Sequence, residues 1–185
     1  MKIASPMQAE SDDRAGARRQ RIPPDERSSS PASRPVLDAF LSTTHDLCRD
    51  QGVPMYAAFI VVDEFDQLRT DFGGHVSDEV LAAVGETVVR QCRSYDLAAR
   101  YEGATFMVVF DRVDRTVIDS IVSRFAASIS SFDWQAMRDG LQVSATVVAS
   151  NLAEDHSIEK KLAELEHLAD ARRVTRPSAE ASRAA

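Results

Sequence analysis

Apolar positions fall into a regular period only from Pro35 onward. The stretch "VLDAFLSTTHDLCRDQG" sets Val36, Phe40, Leu41 and Leu47 near helical spacing, and Gly52 is a natural stop. "MYAAFIVVDEF" is apolar almost without interruption over the length of a strand, which predicts a strand buried on both faces. "HVSDEVLAAVGETVVRQC" then predicts a helix with Val80, Leu81, Val84 and Val88 on one side and Ser77 or Asp78 near its start. "LAARY" and "TFMVVF" flank a tight turn at Gly103 and read as a β-hairpin. A further helix, "DRTVIDSIVSRFAASISSF", points Ile118, Ile121, Val122 and Phe125 inward. The strand "LQVSATVVAS" follows. A last helix, "SIEKKLAELEHLADARRV", carries Leu162, Leu165 and Leu168 in its stripe. This order predicts helices packed on one face of a mainly antiparallel sheet, an α+β sandwich of the ferredoxin-like or nucleotide-cyclase-like type. No internal repeat is visible.

Outside that region the pattern fails. Residues 1–34, with "IPPDERSSSPASRP" as their clearest part, are polar, rich in helix breakers and too poor in apolar residues to build a core. They read as a disordered N-terminal tail, with the domain over 35–174 and a short C-terminal tail over 175–185.

Composition narrows the classes of function. The chain has 185 residues, 44% of them hydrophobic, enough for one domain with a sizeable core. No run approaches the roughly 18 apolar residues of a membrane span, and the N-terminus lacks the apolar region of a secretory signal. Cys48 and Cys92 are the only cysteines and have no metal-ligand spacing around them, which fits two partly buried thiols in a reduced cytoplasm. The net charge of −7 is uneven: residues 1–34 hold seven basic against five acidic residues, leaving the remainder at −9. A domain this acidic is a poor partner for a nucleic-acid polymer. Any phosphate ligand has to be held by a few well-placed arginines against the background field.

The central residues "FIVVDEFDQLRTDFGGHVSDEVLAAVGETVVRQCRSYDLAARYEGATFMVVF" resemble the core of a GGDEF domain, the diguanylate cyclase module of bacterial signalling. Without a gap, Phe65, Gly73, Asp78, Leu81, Arg93, Asp96, Arg100, Tyr101, Gly103 and Phe106 fall where the family has those residue types. The resemblance is good over about residues 55–130. It implies a nucleotide-cyclase-like palm: a central antiparallel sheet flanked by helices.

It also implies that catalysis has been lost. Active members carry Gly-Gly-Asp/Glu-Glu-Phe at the hairpin; here the same positions read Glu102-Gly103-Ala104-Thr105-Phe106. Joining two GTP molecules needs divalent cations to neutralise charge on the phosphates, and Mg²⁺ asks for hard carboxylate oxygens. Ala104 stands at the hairpin ligand position and Thr105 beside it. The family's other ligand, the first Asp of Asp-x-Asp, falls on Val61, with Asp63 matching the second; a one-residue shift would bring Asp63 into the ligand place. The guanine-contacting Asn falls on Arg69, and Asp78 alone remains of that pair. The terminal signature, with its phosphate-contacting Lys, is reduced to Ala163-Glu164-Leu165-Glu166-His167-Leu168. The expectation is therefore a degenerate domain with no catalytic residues, no metal and no cofactor.

One family feature is kept. Arg93-Ser94-Tyr95-Asp96 is the only Arg-x-x-Asp in the chain and stands five residues before the hairpin motif, the place of the family's inhibitory site for cyclic di-GMP. An Arg fork bonds guanine O6 and N7, a pairing worth about 1–3 kcal/mol of discrimination, and an ionised Asp accepts from guanine N–H groups. Arg124 falls where a second Arg completes this site in some members. The plainer alternatives are a surface ion pair for Arg93 and Asp96 and a solvated helix residue for Arg124. His75 reads as a loop residue, and Trp134 as a core or edge residue.

Three readings follow. The first is a cytoplasmic, non-enzymatic receptor that binds cyclic di-GMP through Arg93, Asp96 and Arg124, with a ligand-bridged dimer open to it. The second is a nucleotide-independent interaction module that docks an unidentified protein partner. The third is residual cyclase activity, against which Ala104 and Thr105 stand.

Overall fold

The structure is a computed structural model that describes residues 30–154 and 157–175; most of both expected tails lies outside these residues. Four antiparallel strands form one sheet in the order β2-β3-β1-β4: β1 Met55–Val62, β2 Leu97–Glu102, β3 Thr105–Asp111 and β4 Ala145–Asn151. The helices are α1 Arg34–Gln51, α2 Phe65–Gln91, α3 Arg115–Ser130, the short α4 Trp134–Met137 and α5 Ile158–Thr175.

Every residue of β1 is buried, as its unbroken apolar run requires. Its alternation divides the core in two. Tyr56, Ala58, Ile60 and Val62 face Val80, Val84 and Val88 of α2 and Ile118, Ile121 and Phe125 of α3. Met55, Ala57, Phe59 and Val61 face Leu37, Leu41 and Cys48 of α1 and Leu165 and Ala169 of α5. The expectation of helices on one face is thus corrected: both faces are covered, since a central strand apolar at successive positions must be shielded on both sides.

One helix boundary differs from the expectation. α2 begins at Phe65, some ten residues before the predicted start, and continues through a kink at Gly73, whose φ of 84° and ψ of 169° are not helical. His75 therefore lies on a helix, exposed, with Nδ1 3.5 Å from a Glu79 carboxylate oxygen. Gly52, with φ 63°, ends α1 as predicted.

The last residues of the expected tail belong to the fold. Ala32 pairs in parallel with Ala99 on the outer edge of β2: its N–H donates to Ala98 O at 2.9 Å and its carbonyl accepts from Arg100 N–H at 3.1 Å. The Arg34 guanidinium lies 4.2 Å from the centre of the Tyr101 ring, and the Tyr101 hydroxyl donates to Glu166 on α5 at 2.9 Å. Pro31 packs against Gly85 so closely that a Cβ there would sit 2.7 Å from its Cγ.

Candidate functional site

The hairpin tip and the end of β1 are neighbours. Val61 pairs with Thr105, and the Val62 N–H donates to Ala104 O at 3.1 Å. Gly103 takes a φ of 51°, and Arg100 clamps the turn by donating from Nη2 and Nε to Gly103 O at 2.8 and 3.1 Å. The residues that meet at this junction through the backbone, Val61, Ala104 and Thr105, carry no carboxylate.

Asp63 is turned away from the hairpin. Its N–H donates to Ser144 O at 3.0 Å, and its carboxylate accepts from the Ser144 hydroxyl at 2.6 Å and the Thr146 hydroxyl at 2.7 Å. It ties β1 to the start of β4. The one-residue shift that would make it a ligand beside Ala104 is not the arrangement found. Among the described residues no group of three or more His, Cys, Asp or Glu is placed to hold a metal. Arg69 and Asp78 are both exposed on α2, on opposite sides of the kink.

A cavity of about 1040 Å³ opens beyond Asp63, between the first turns of α2 and the segment joining α3 to β4. Phe65, Phe72, Phe132, Trp134, Asp66 and Asp133 are among its lining residues. Trp134 is buried, a core rather than an edge residue; its Nε1–H donates to Ile129 O at 2.8 Å and its ring lies 4.4 Å from that of Phe132.

At the opposite end of β2 the structure brings Arg93, Asp96 and Arg124 into one neighbourhood. α2 ends at Gln91, and the turn over Cys92–Asp96 leads into β2. The Asp96 carboxylate closes that turn by accepting from the Arg93 N–H at 2.7 Å, while the Asp96 N–H donates to Arg93 O at 3.1 Å. Arg124 reaches across from α3 and donates through Nε to Gln91 Oε1 at 3.1 Å.

Arg93 and Arg124 are exposed, but Asp96 is only 6% exposed. Of the two members of Arg-x-x-Asp, Arg93 projects into solvent and Asp96 is turned into the turn it closes. Desolvation raises the Asp96 pKa; the bond from the Arg93 N–H and the charges of Arg93 and Arg124 pull in the other direction. Burial also pushes the Cys92 thiol up to about 12 and Cys48 to about 11.

Comparison with known proteins bears on both ends of β2. Residues 32–172 match the family described as "Diguanylate cyclase, GGDEF domain". Among solved structures, the chain is similar to diguanylate cyclase SiaD of Pseudomonas aeruginosa, solved in complex with its activator SiaC. The TM-score is 0.69 at 22% identity, over 79% of this chain and 56% of that one. This chain therefore spans little more than half of SiaD. It is also similar to the GGDEF domain of DgcB from Caulobacter crescentus, solved in complex with c-di-GMP, with a TM-score of 0.65 at 18% identity over 80% and 86% of the two chains. A third similar structure is the active GGEEF domain of a diguanylate cyclase from Vibrio cholerae, with a TM-score of 0.67 at 16% identity over 79% and 93%. Comparison with curated protein sequences gives no match.

Proposed function

The chain belongs to the GGDEF family, and from that premise we propose that it binds cyclic di-GMP at Arg93, Asp96 and Arg124 without making it. The observation that carries this reading is the contrast between the two ends of β2. At one end two exposed guanidinium groups stand beside a buried carboxylate. At the other, Val61, Ala104 and Thr105 offer no oxygen anion to a divalent cation. The residues at that end do not fit a Mg²⁺ site, and Asp63 has its carboxylate occupied by two hydroxyls.

Each group has a distinct part. Arg93 presents a planar donor fork to the O6 and N7 edge of a guanine. Asp96 fixes the turn that aims Arg93 and offers its carboxylate to guanine N–H groups. Arg124, held from α3 beside the end of α2, adds positive charge for a ligand with two phosphates.

Calorimetric titration of cyclic di-GMP into the full chain tests the reading, with Arg93→Ala, Asp96→Asn and Arg124→Ala alongside. Micromolar or tighter binding, about −8 kcal/mol or better, with a loss of about 1–3 kcal/mol in Arg93→Ala, is the expected result. No heat at saturating nucleotide would leave the cluster a structural turn. A protein-docking role is then the reading left, which the SiaD complex with its activator favours. Partner capture unchanged by surface substitutions would count against it.

A further inference from the structure

We propose that the segment Pro31–Arg34 and the Arg93–Asp96–Arg124 cluster grip the same joint from two sides, so that each strengthens the other. Seating of the segment raises the affinity of the cluster for cyclic di-GMP, and the bound ligand holds the segment in place. This rests on the receptor reading above and adds its regulation.

The joint is the turn between α2 and β2. The segment spans it on one side: Pro31 touches Gly85 on α2, and Ala32 bonds to Ala98 and Arg100 on β2. It then crosses the sheet edge to the other layer, where Arg34 covers the Tyr101 ring and donates to the Tyr101 carbonyl at 3.4 Å. Tyr101 in turn packs against Phe59 at 4.7 Å and bonds to Glu166 of α5. The cluster holds the same two elements at their other contact. Arg93 follows the end of α2, Asp96 precedes β2, and Arg124 ties α3 to Gln91 at the last position of α2. The angle between α2 and β2 is therefore set jointly by the segment and by the cluster.

The segment is built to leave. Its attachment is two backbone hydrogen bonds, one proline contact, and Arg34 lying over the Tyr101 ring and donating to the Tyr101 carbonyl at the surface. Such features open at low free energy without the core. The two states are the seated and the released segment. The ligand distinguishes them because only the seated segment fixes the angle at which Arg93 and Arg124 face it. Coupling of this kind is reciprocal by linkage.

Full-length protein tests it by calorimetry with cyclic di-GMP and by hydrogen exchange at the Ala32 and Arg100 amides, which report the two segment bonds. Gly85→Ala places a methyl group in the Pro31 contact, Ala32→Pro removes the N–H given to Ala98, and Arg34→Ala removes the cation from Tyr101. Arg34 is exposed, so its variant keeps the fold in case either of the others does not. Each is expected to weaken cyclic di-GMP binding about 5-fold or more. Saturating ligand is expected to slow exchange at both amides in the wild type by a matching factor, and not in Arg93→Ala. Wild-type affinity in all three variants, with amide exchange indifferent to ligand, overturns the coupling and leaves the receptor standing. Absence of binding to the wild type overturns both.

Discussion

The two ends of β2 differ in what their charges are for. At the Gly103 end Arg100 gives its guanidinium to the Gly103 carbonyl, Glu102 stands exposed beside it, and Val61, Ala104 and Thr105 are aliphatic or hydroxylic. At the Asp96 end both Asp96 and Arg124 bond the backbone, Arg124 donating to Gln91 O at 3.5 Å. Asp96 caps the turn from a buried place, while Arg93 and Arg124 keep exposed guanidinium groups. A fold can thus keep its frame at both ends while the two differ in the side chains they present. Family membership alone does not say which end works.

The strongest way to break the contrast is to rebuild the bare end. Val61→Asp with Ala104→Asp puts two carboxylates at the junction, one of them in a position only 7% exposed on the α1 and α5 side of the core. Thermal unfolding is expected to show a loss of about 3 kcal/mol or more. Mg²⁺ should leave the wild type unmoved. A wild-type melting point that rises with Mg²⁺ would contradict the reading of this end.

A smaller effect separates the members of Arg-x-x-Asp. Asp96→Ala strips the acceptor from the Arg93 N–H and is expected to cost about 1–3 kcal/mol in denaturant unfolding. Arg93→Ala, at an exposed position, is expected to stay within about 0.5 kcal/mol. Equal losses would show that the turn depends on the guanidinium as well.

Protonation sharpens the same point. The folded pKa of Asp96 lies above its ordinary 3.8 because the carboxylate is desolvated. The folded chain therefore binds this proton more tightly than the unfolded one. The site's contribution to stability is full below 3.8 and is lost as pH rises through the folded value. Ligand affinity runs the other way, falling on acidification through that window as the accepting carboxylate is protonated. Asp96→Asn should flatten both trends, which unfolding and calorimetry across the acidic range would record.

The slightest expected change is chemical. With pKa values of about 12 and 11, Cys92 and Cys48 are thiols at neutral pH and should resist alkylation in the native protein and react on unfolding. Rapid native labelling of Cys92, followed by mass spectrometry, would mean that the joint beside Arg93 opens.

Much of this fold is legible in the chain because burial leaves a periodic trace. The unbroken run at 55–62 shows both faces of β1 covered, and the stripe through Ile118, Ile121 and Phe125 marks α3. The first turns of α2 leave no such trace: Asp66, Gln67, Arg69, Thr70 and Asp71 are polar, and Gly73-Gly74 reads as a stop although the helix only kinks there. The Asp63 tie to Ser144 and Thr146 joins positions more than eighty residues apart, and its sole local cue is two hydroxyls alternating on one strand. The burial of Asp96 was hidden because a short acidic residue after a helix looks the same whether it faces water or its own backbone. Pro31 and Ala32 carry the composition of a tail and gain structure only from the edge of β2 and the bare Cα of Gly85.

The lone tryptophan of the chain gives the molecule an optical property of its own. Trp134 bonds to Ile129 of α3, the helix that also carries Arg124, yet its ring lines the cavity beyond Asp63. Its emission comes from a shielded indole, well removed in the chain from Arg93 and Asp96. A change in its colour or intensity when nucleotide is added would report movement carried along α3, and silence would mean that α3 stays still while its arginine is engaged.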